Sequence, residues 1–254
     1  MNRGILLLLI VLTLLISLVF VVIALGPGLF IAGGPNLVRN GSFETGRFVP
    51  DPVEIIVSGQ NFKVLCGGSS ALDDWHVFRQ PVTGGQNCGS SKDAIAWCQS
   101  PSTLAIDAQE GRFFVDLTGF NTRPPQQFGQ VQQDVENTEP GALYELSFAI
   151  GSSSRFPPPT PKPPNPPQIG IFVKVVGVSN GAMSFDATAP TPDVSHWDLH
   201  TMRFRAVDRT TQIMFLGVGN PGTAGVGGDY VGLDNVSLRR VCFIVDAILY
   251  GCAR

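Results

Sequence analysis

Charge is scarce in this chain. Lys and Arg number 17 against 20 Asp and Glu, charged residues make up 15 per cent of 254, and the formal net charge is −3. A nucleic-acid partner demands clustered Lys and Arg to meet phosphates, and no such surplus exists here. Histidine is rarer still, with three in the whole chain. No G-x-S-x-G elbow accompanies them, so a Ser-His-Asp hydrolase is not indicated. Cysteines occur without a C-x-x-C pair, which argues against a structural zinc site. The glycine-rich stretch 225–228 lacks the Lys and Ser or Thr of a phosphate-binding loop and reads as a turn. No repeat of fixed period appears, and no amphipathic helix follows the N-terminal region.

What the chain does have is apolar residues, 44 per cent of the total, with 29 Gly and 20 Pro. That composition excludes wholesale disorder and fits a turn-rich globular protein with a substantial core. Residues 5–25 form a run free of charge, preceded by Arg3. At about 1.5 Å per residue such a run is long enough to cross a hydrocarbon core. Residues 1–35 therefore read either as a cleaved signal peptide or as an uncleaved signal-anchor transmembrane helix. Both readings place the following residues outside the cytoplasm, membrane-anchored or secreted. No cysteine closely follows the run to carry a lipid.

Export favours disulfides. Among Cys66, Cys88, Cys98, Cys242 and Cys252, short loops would be closed by Cys88 with Cys98 and by Cys242 with Cys252. The odd number leaves one thiol free or intermolecular, and residues 241–254 form a tail that the last pair would close.

From Asn36 to about residue 240 the hydrophobic period is two. Tyr144, Leu146, Phe148 and Ile150 share one face, as do Met202, Phe204 and Ala206, and again Phe113, Val115 and Leu117. Segments 169–178 and 213–218 are more continuously apolar, as strands buried on both faces would be. Short strands between Gly, Pro, Asn and Asp clusters indicate an all-β sandwich. In the last strand Val231 and Leu233 share one phase, and Val236 and Leu238 the other. The slip at Asp234-Asn235 predicts a bulge that re-aims a carboxylate. Residues 156–168 read FPPPTPKPPNPPQ, an exposed polyproline loop that serves as a stiff spacer.

Other candidate chemistry has ordinary explanations. His196 and His200 are four apart, but in a strand or loop that spacing is not a zinc motif. Asp73-Asp74 and Asp107 with Glu110 read as solvated loop acids rather than a glycosidase pair. Asn40 and Asn235 both fit the N-x-S acceptor pattern but lie inside structural motifs. Trp75 and Trp197 read as core. Trp97, beside Cys98 in a polar stretch rich in Gly and Ser, is the tryptophan expected to stack on a sugar ring.

Six motifs in order carry a resemblance. They are Asn36-Leu-Val-Arg-Asn-Gly-Ser-Phe-Glu44; Trp75 in a W-x-V setting; Glu110-Gly-Arg-Phe-Phe-Val-Asp-Leu117; Gly129-Gln-Val-Gln-Gln-Asp-Val135; Pro140-Gly-Ala-Leu-Tyr-Glu-Leu-Ser-Phe148; and Val231-Gly-Leu-Asp-Asn-Val-Ser-Leu238. Together they resemble the domain of unknown function 642 family, with galactose-binding-like jelly-roll domains. The resemblance implies a non-catalytic module that binds polysaccharide. It also implies a structural calcium near the first and last strands, held by residues matching Glu44 and Asp234. Two carboxylates with backbone carbonyls suit that hard cation, and the bulge at Asp234 suits the role. Alternatively, the two acids only cap backbone groups at a sheet edge. The chain departs from the family in its single domain, its cysteine-bearing insertion near residues 84–101, its proline loop and its tail. The expected function is carbohydrate binding at the cell surface without enzymatic activity. The competing expectation is a structural or adhesive protein that contacts protein partners.

Overall fold

The computed structural model describes residues 30–50, 54, 56, 59, 61–78, 95–102, 106–118, 129–154, 169–188, 195–219 and 229–243. The apolar run 5–25, the proline-rich segment 156–168, the glycine-rich stretch 225–228, Cys88 and Cys252 lie outside them. The chain divides into two compact units, Asn36–Leu238 and a smaller one of Met1–Pro35 with Arg239–Arg254. In the smaller unit, strand β1 (Phe30–Gly33) pairs antiparallel with residues 240–243, Ala32 standing opposite Val241.

The larger unit is an all-β sandwich of two antiparallel sheets, and no helix occurs among the described residues. The first sheet runs, in spatial order, β10 (His196–Arg205), β7 (Leu143–Ser154), β12 (Asp229–Phe243), β5 (Phe113–Asp116), β4 (Ile95–Gln99) and β2 (Phe62–Leu65). The second runs β3 (His76–Val77), β6 (Gln130–Glu136), β11 (Thr210–Gly219), β8 (Ile169–Val175) and β9 (Ala182–Asp186).

The period-two residues build the core between the sheets. Tyr144, Leu146, Phe148 and Ile150 of β7 are buried in one cluster with Val131 of β6 and Ile213 and Phe215 of β11. Phe148 meets Phe215 edge-on at 5.3 Å, which ties the layers together. Each such side chain contributes about 1.5–3 kcal/mol by leaving water. Val231, Leu233, Val236 and Leu238 all join this one cluster despite their opposite phases. The conflict is resolved at Asn235, whose φ of 50° interrupts the extended backbone at the expected slip.

The expectation that β8 and β11 are buried on both faces is corrected. Ile169, Ile171, Val173 and Val175 are buried, but Phe172 between them is half-buried and Lys174 exposed. Along β11, Ile213 and Phe215 are buried while Gln212, Met214, Leu216 and Val218 are half-buried. The second sheet therefore keeps an amphipathic outer face.

The outer face of the first sheet carries a separate cluster of Phe62, Val64, Ala96, Cys98, Ile106 and Phe114. Trp197 packs against it, with its ring 2.8 Å from where a Cβ at Gly151 would stand and 3.0 Å from one at Gly232. The indole Nε1 donates to the Asp107 carbonyl at 2.9 Å.

The expected Cys88–Cys98 disulfide is also corrected: Cys98 is a free, buried thiol. It sits in β4 between Phe62 of β2 and Phe114 of β5, in the middle of three paired strands. Burial, with the charge of Asp116 added, pushes this thiol well above its usual range. Cys66 and Cys242 are each engaged in a disulfide.

Candidate functional site

The opening motif forms a knot of backbone contacts rather than a strand. Asn40 Nδ2 donates to the carbonyls of Thr45 and Asp73, each at 2.9 Å, and its Oδ1 accepts from Thr45 N. Two indoles secure the same turn: Trp75 Nε1 donates to Asn40 O at 2.9 Å and Trp97 Nε1 to Phe43 O at 3.0 Å. Gly41 lies so close to the Val236 carbonyl that no Cβ would fit.

This turn presents Glu44 to segment 109–113, and the bulge in β12 presents Asp234 to the same segment. Asp234 Oδ2 accepts from Gln109 N at 2.9 Å and Glu110 N at 3.0 Å, while Oδ1 accepts from Asn235 N at 2.7 Å. Glu44 Oε1 accepts from Arg112 N at 2.7 Å and Phe113 N at 2.8 Å. Gly111, between the two pairs, has φ 67° and abuts Glu44 Oε1. Asp234 is 0% exposed. Burial pushes its carboxyl up to about 7, against the pull of its backbone hydrogen bonds, and the Glu44 charge raises it further.

Both acids thus cap backbone donors, as the alternative reading has it. Their donor chemistry also suits calcium: two carboxylates near enough to repel, whose charge a hard cation would offset. Among the described residues no group of three or more His, Cys, Asp or Glu could hold a metal. Any further ligands there would be backbone carbonyls or water.

Trp97 is not the sugar platform expected of it. It is 1% exposed, with the Phe48 and Phe113 rings packed against it at 5.1 and 5.2 Å. Neither ring face is free for a ligand. Trp75 is core, as expected, against Phe43 at 5.1 Å and Phe215 at 6.1 Å. His196 and His200 do not converge: in β10 a spacing of four residues separates them by about 13 Å, and His200 stacks on Phe148. Asp107 Oδ1 accepts from Ser102 N at 3.3 Å, and Glu110 is an exposed loop acid.

The site that the residues had not announced is the outer face of the second sheet. Strand register lays its side chains in rows across the strands. Phe78, whose N donates to Gln130 O, begins a row that continues through Gln130, Leu216, Phe172 and Ser184. The next row is His76, Gln132, Met214, Lys174 and Ala182. On the far side of the first row, Gly170 stands between Val218 and Asp186. A Cβ at Gly170 would run into the Phe185 carbonyl, so the face stays bare there. Leu216, Met214, Val218 and Phe172 make an apolar floor, half-buried, bordered by the amides of Gln130, Gln132 and Gln212. Gln212 Nε2 is engaged with Asp134 Oδ1 at 2.8 Å. Gln130 Nε2 is shut off from water and bonds nothing among the described residues. The signal was present in the sequence, in the Gln-Val-Gln alternation of residues 130–132 and in Lys174 interrupting an apolar run.

No family model matches the chain. The chain is 27% identical over 204 residues, 80% of its length, to halomucin of Haloquadratum walsbyi, and spans 2% of that protein's length. Among solved structures it is similar to TmCBM61 in complex with β-1,4-galactotriose, with TM-score 0.38 and 17% identity, covering 82% of this chain and 99% of that one. It is similar also to the CBM22-1 xylan-binding domain of Paenibacillus barcinonensis Xyn10C, with TM-score 0.35 and 13% identity, covering 83% and 97%. At such scores and identities neither structural likeness determines what this chain binds.

Proposed function

We propose that the sandwich is a non-catalytic carbohydrate-binding module of galactose-binding-like jelly-roll type, working outside the cytoplasm on a polysaccharide. The observation that carries this reading is the outer face of the second sheet. A sugar ring has apolar C–H faces and a hydroxyl rim, so it needs flat apolar contact beside hydrogen-bonding groups. Phe172, Leu216 and Met214 offer the first, and Gln130 and Gln132 the second.

Calcium belongs to the same reading as a structural ion at Glu44 and Asp234. Bound there, it would neutralise the two acids and stiffen segment 109–113. Because the ion would bind only the folded chain, it should raise the melting midpoint by mass action. The rise should vanish in Asp234→Asn; equal midpoints in calcium and chelator would remove the ion from the reading.

The polysaccharide itself is tested by affinity electrophoresis of the full chain through gels of soluble glycans. Retardation that is lost in Phe172→Ala and in Leu216→Ala, with melting midpoints kept, is the expected result. A chain that no glycan retards would turn attention to protein partners.

A further inference from the structure

Lys174 is out of place on the face just described. It lies in β8, the fourth of five strands, and its outward neighbours by register are Met214 on β11 and Ala182 on β9. Phe172 lies two residues before it on β8, and Val176 lies two residues after it, just past the end of the strand. None of these four is charged. The acids of this sheet stand elsewhere. Asp134 is across two strands and engaged with Gln212, Asp186 pairs with Gly170 rather than near Lys174, and Glu136 is at the end of β6. Lys174 is exposed and makes no ion pair among the described residues.

An ammonium held at the border of an apolar floor, with a short Ala182 on its open side, is placed to meet a charge on the ligand that the floor receives. We infer that the face selects an acidic polysaccharide, with the Lys174 ammonium pairing with a carboxylate or sulfate substituent while Phe172 and Met214 contact the ring. The inference rests on the sheet face being the glycan site and adds to it the charge class of the ligand. The chain's net charge of −3 supplies no general attraction for a polyanion, so selectivity must come from this local cation. Such a contact is exposed and weakens as salt shortens the screening length.

The test uses the full chain and matched pairs of polymers: a polyuronate with its carboxyl-reduced form, and a sulfated glycan with its desulfated form. At low salt the acidic member should bind about three- to fivefold more tightly than its neutral partner, the scale of one exposed ion pair. The ratio should fall to about one in Lys174→Gln, persist in Lys174→Arg, and shrink in high salt. Which pair shows the larger ratio tells carboxylate from sulfate. A wild-type ratio near one, with both members bound, would overturn the inference and leave the glycan site standing. A ratio kept in Lys174→Gln would also overturn it, by placing the cation elsewhere. If no polymer of either kind binds, the inference falls together with the site.

Discussion

Glu44 and Asp234 hold opposite ends of one short segment. Asp234 takes the N–H groups of Gln109 and Glu110, Glu44 takes those of Arg112 and Phe113, and Gly111 turns between them. The first acid comes from the opening turn and the second from the last strand, so the clamp joins the two ends of the sandwich through its middle. Asp234→Ala removes the acceptor of three backbone N–H groups, those of Gln109, Glu110 and Asn235, at about 0.5–1.5 kcal/mol each. For a domain of this size the melting midpoint should fall by about 5 °C or more, in chelator as well as in calcium. An unchanged midpoint in chelator would show that the acid matters only as a metal ligand.

Gly111 tests the same clamp from the other side. Its φ of 67° is strained for any residue with a Cβ, and that Cβ would collide with Glu44 Oε1. Gly111→Ala should cost about 1–3 kcal/mol in denaturant unfolding. Adding Glu44→Ala should make the second substitution cheaper than it is alone, because the collision is gone. Strict additivity of the two would refute a direct contact.

Asp116 sets a pH dependence. Burial, against hydrogen bonds from Thr118, pushes its carboxyl from 3.8 to about 6. The folded chain therefore holds this proton more tightly than the unfolded chain does. The resulting stabilisation is complete below about pH 4 and is lost as pH rises through about 6. The shift corresponds to roughly 3 kcal/mol. Wild-type unfolding free energy, measured in chelator, should thus gain more between pH 8 and pH 5 than that of Asp116→Asn. Parallel pH profiles for the two proteins would contradict the assignment. Asp234, raised to about 7, contributes with the same sign in both proteins and drops out of the comparison.

Cys98 gives a simpler check. Its thiol is buried in a packed cluster and held protonated, so thiol reagents should label it only after denaturation. Labelling of the native chain at Cys98, read by peptide mass, would place β4 differently.

How much could be read from residues alone depended on whether one strand carried the information. The bulge at Asp234-Asn235 was legible because a break in period two is a local property of the sequence, and the backbone turns at Asn235. The buried face of β7 was legible for the same reason. The outer face of the second sheet was not, because it is assembled from register. Gln130, Leu216 and Phe172 belong to three strands, and only pairing puts them in one row. Apolar outward residues on β8 and β11 imitated two-sided burial, although Lys174 contradicted it. The Gly and Ser around Trp97 described the chain flanking β4, not the strand, where Trp97 lies between Lys63 and Val115.

That misreading makes Trp97 the sharpest discriminator between a platform and a core residue. A ligand platform, when truncated, loses binding and keeps stability. A core tryptophan does the reverse. Trp97→Ala would empty the space against Phe48 and Phe113 and orphan the Phe43 carbonyl, at a cost of about 3–5 kcal/mol. The melting midpoint should drop by about 6 °C or more. Trp97→Phe, which keeps most of the ring volume, should recover part of that loss and retain glycan retardation at a temperature where it is folded. Phe172→Ala should show the opposite pattern, with a midpoint near wild type and retardation lost. Were Trp97→Phe to melt like wild type yet fail to bind, the indole would belong to the ligand site after all, and the burial of Trp97 beneath Phe48 would not describe the binding-competent chain.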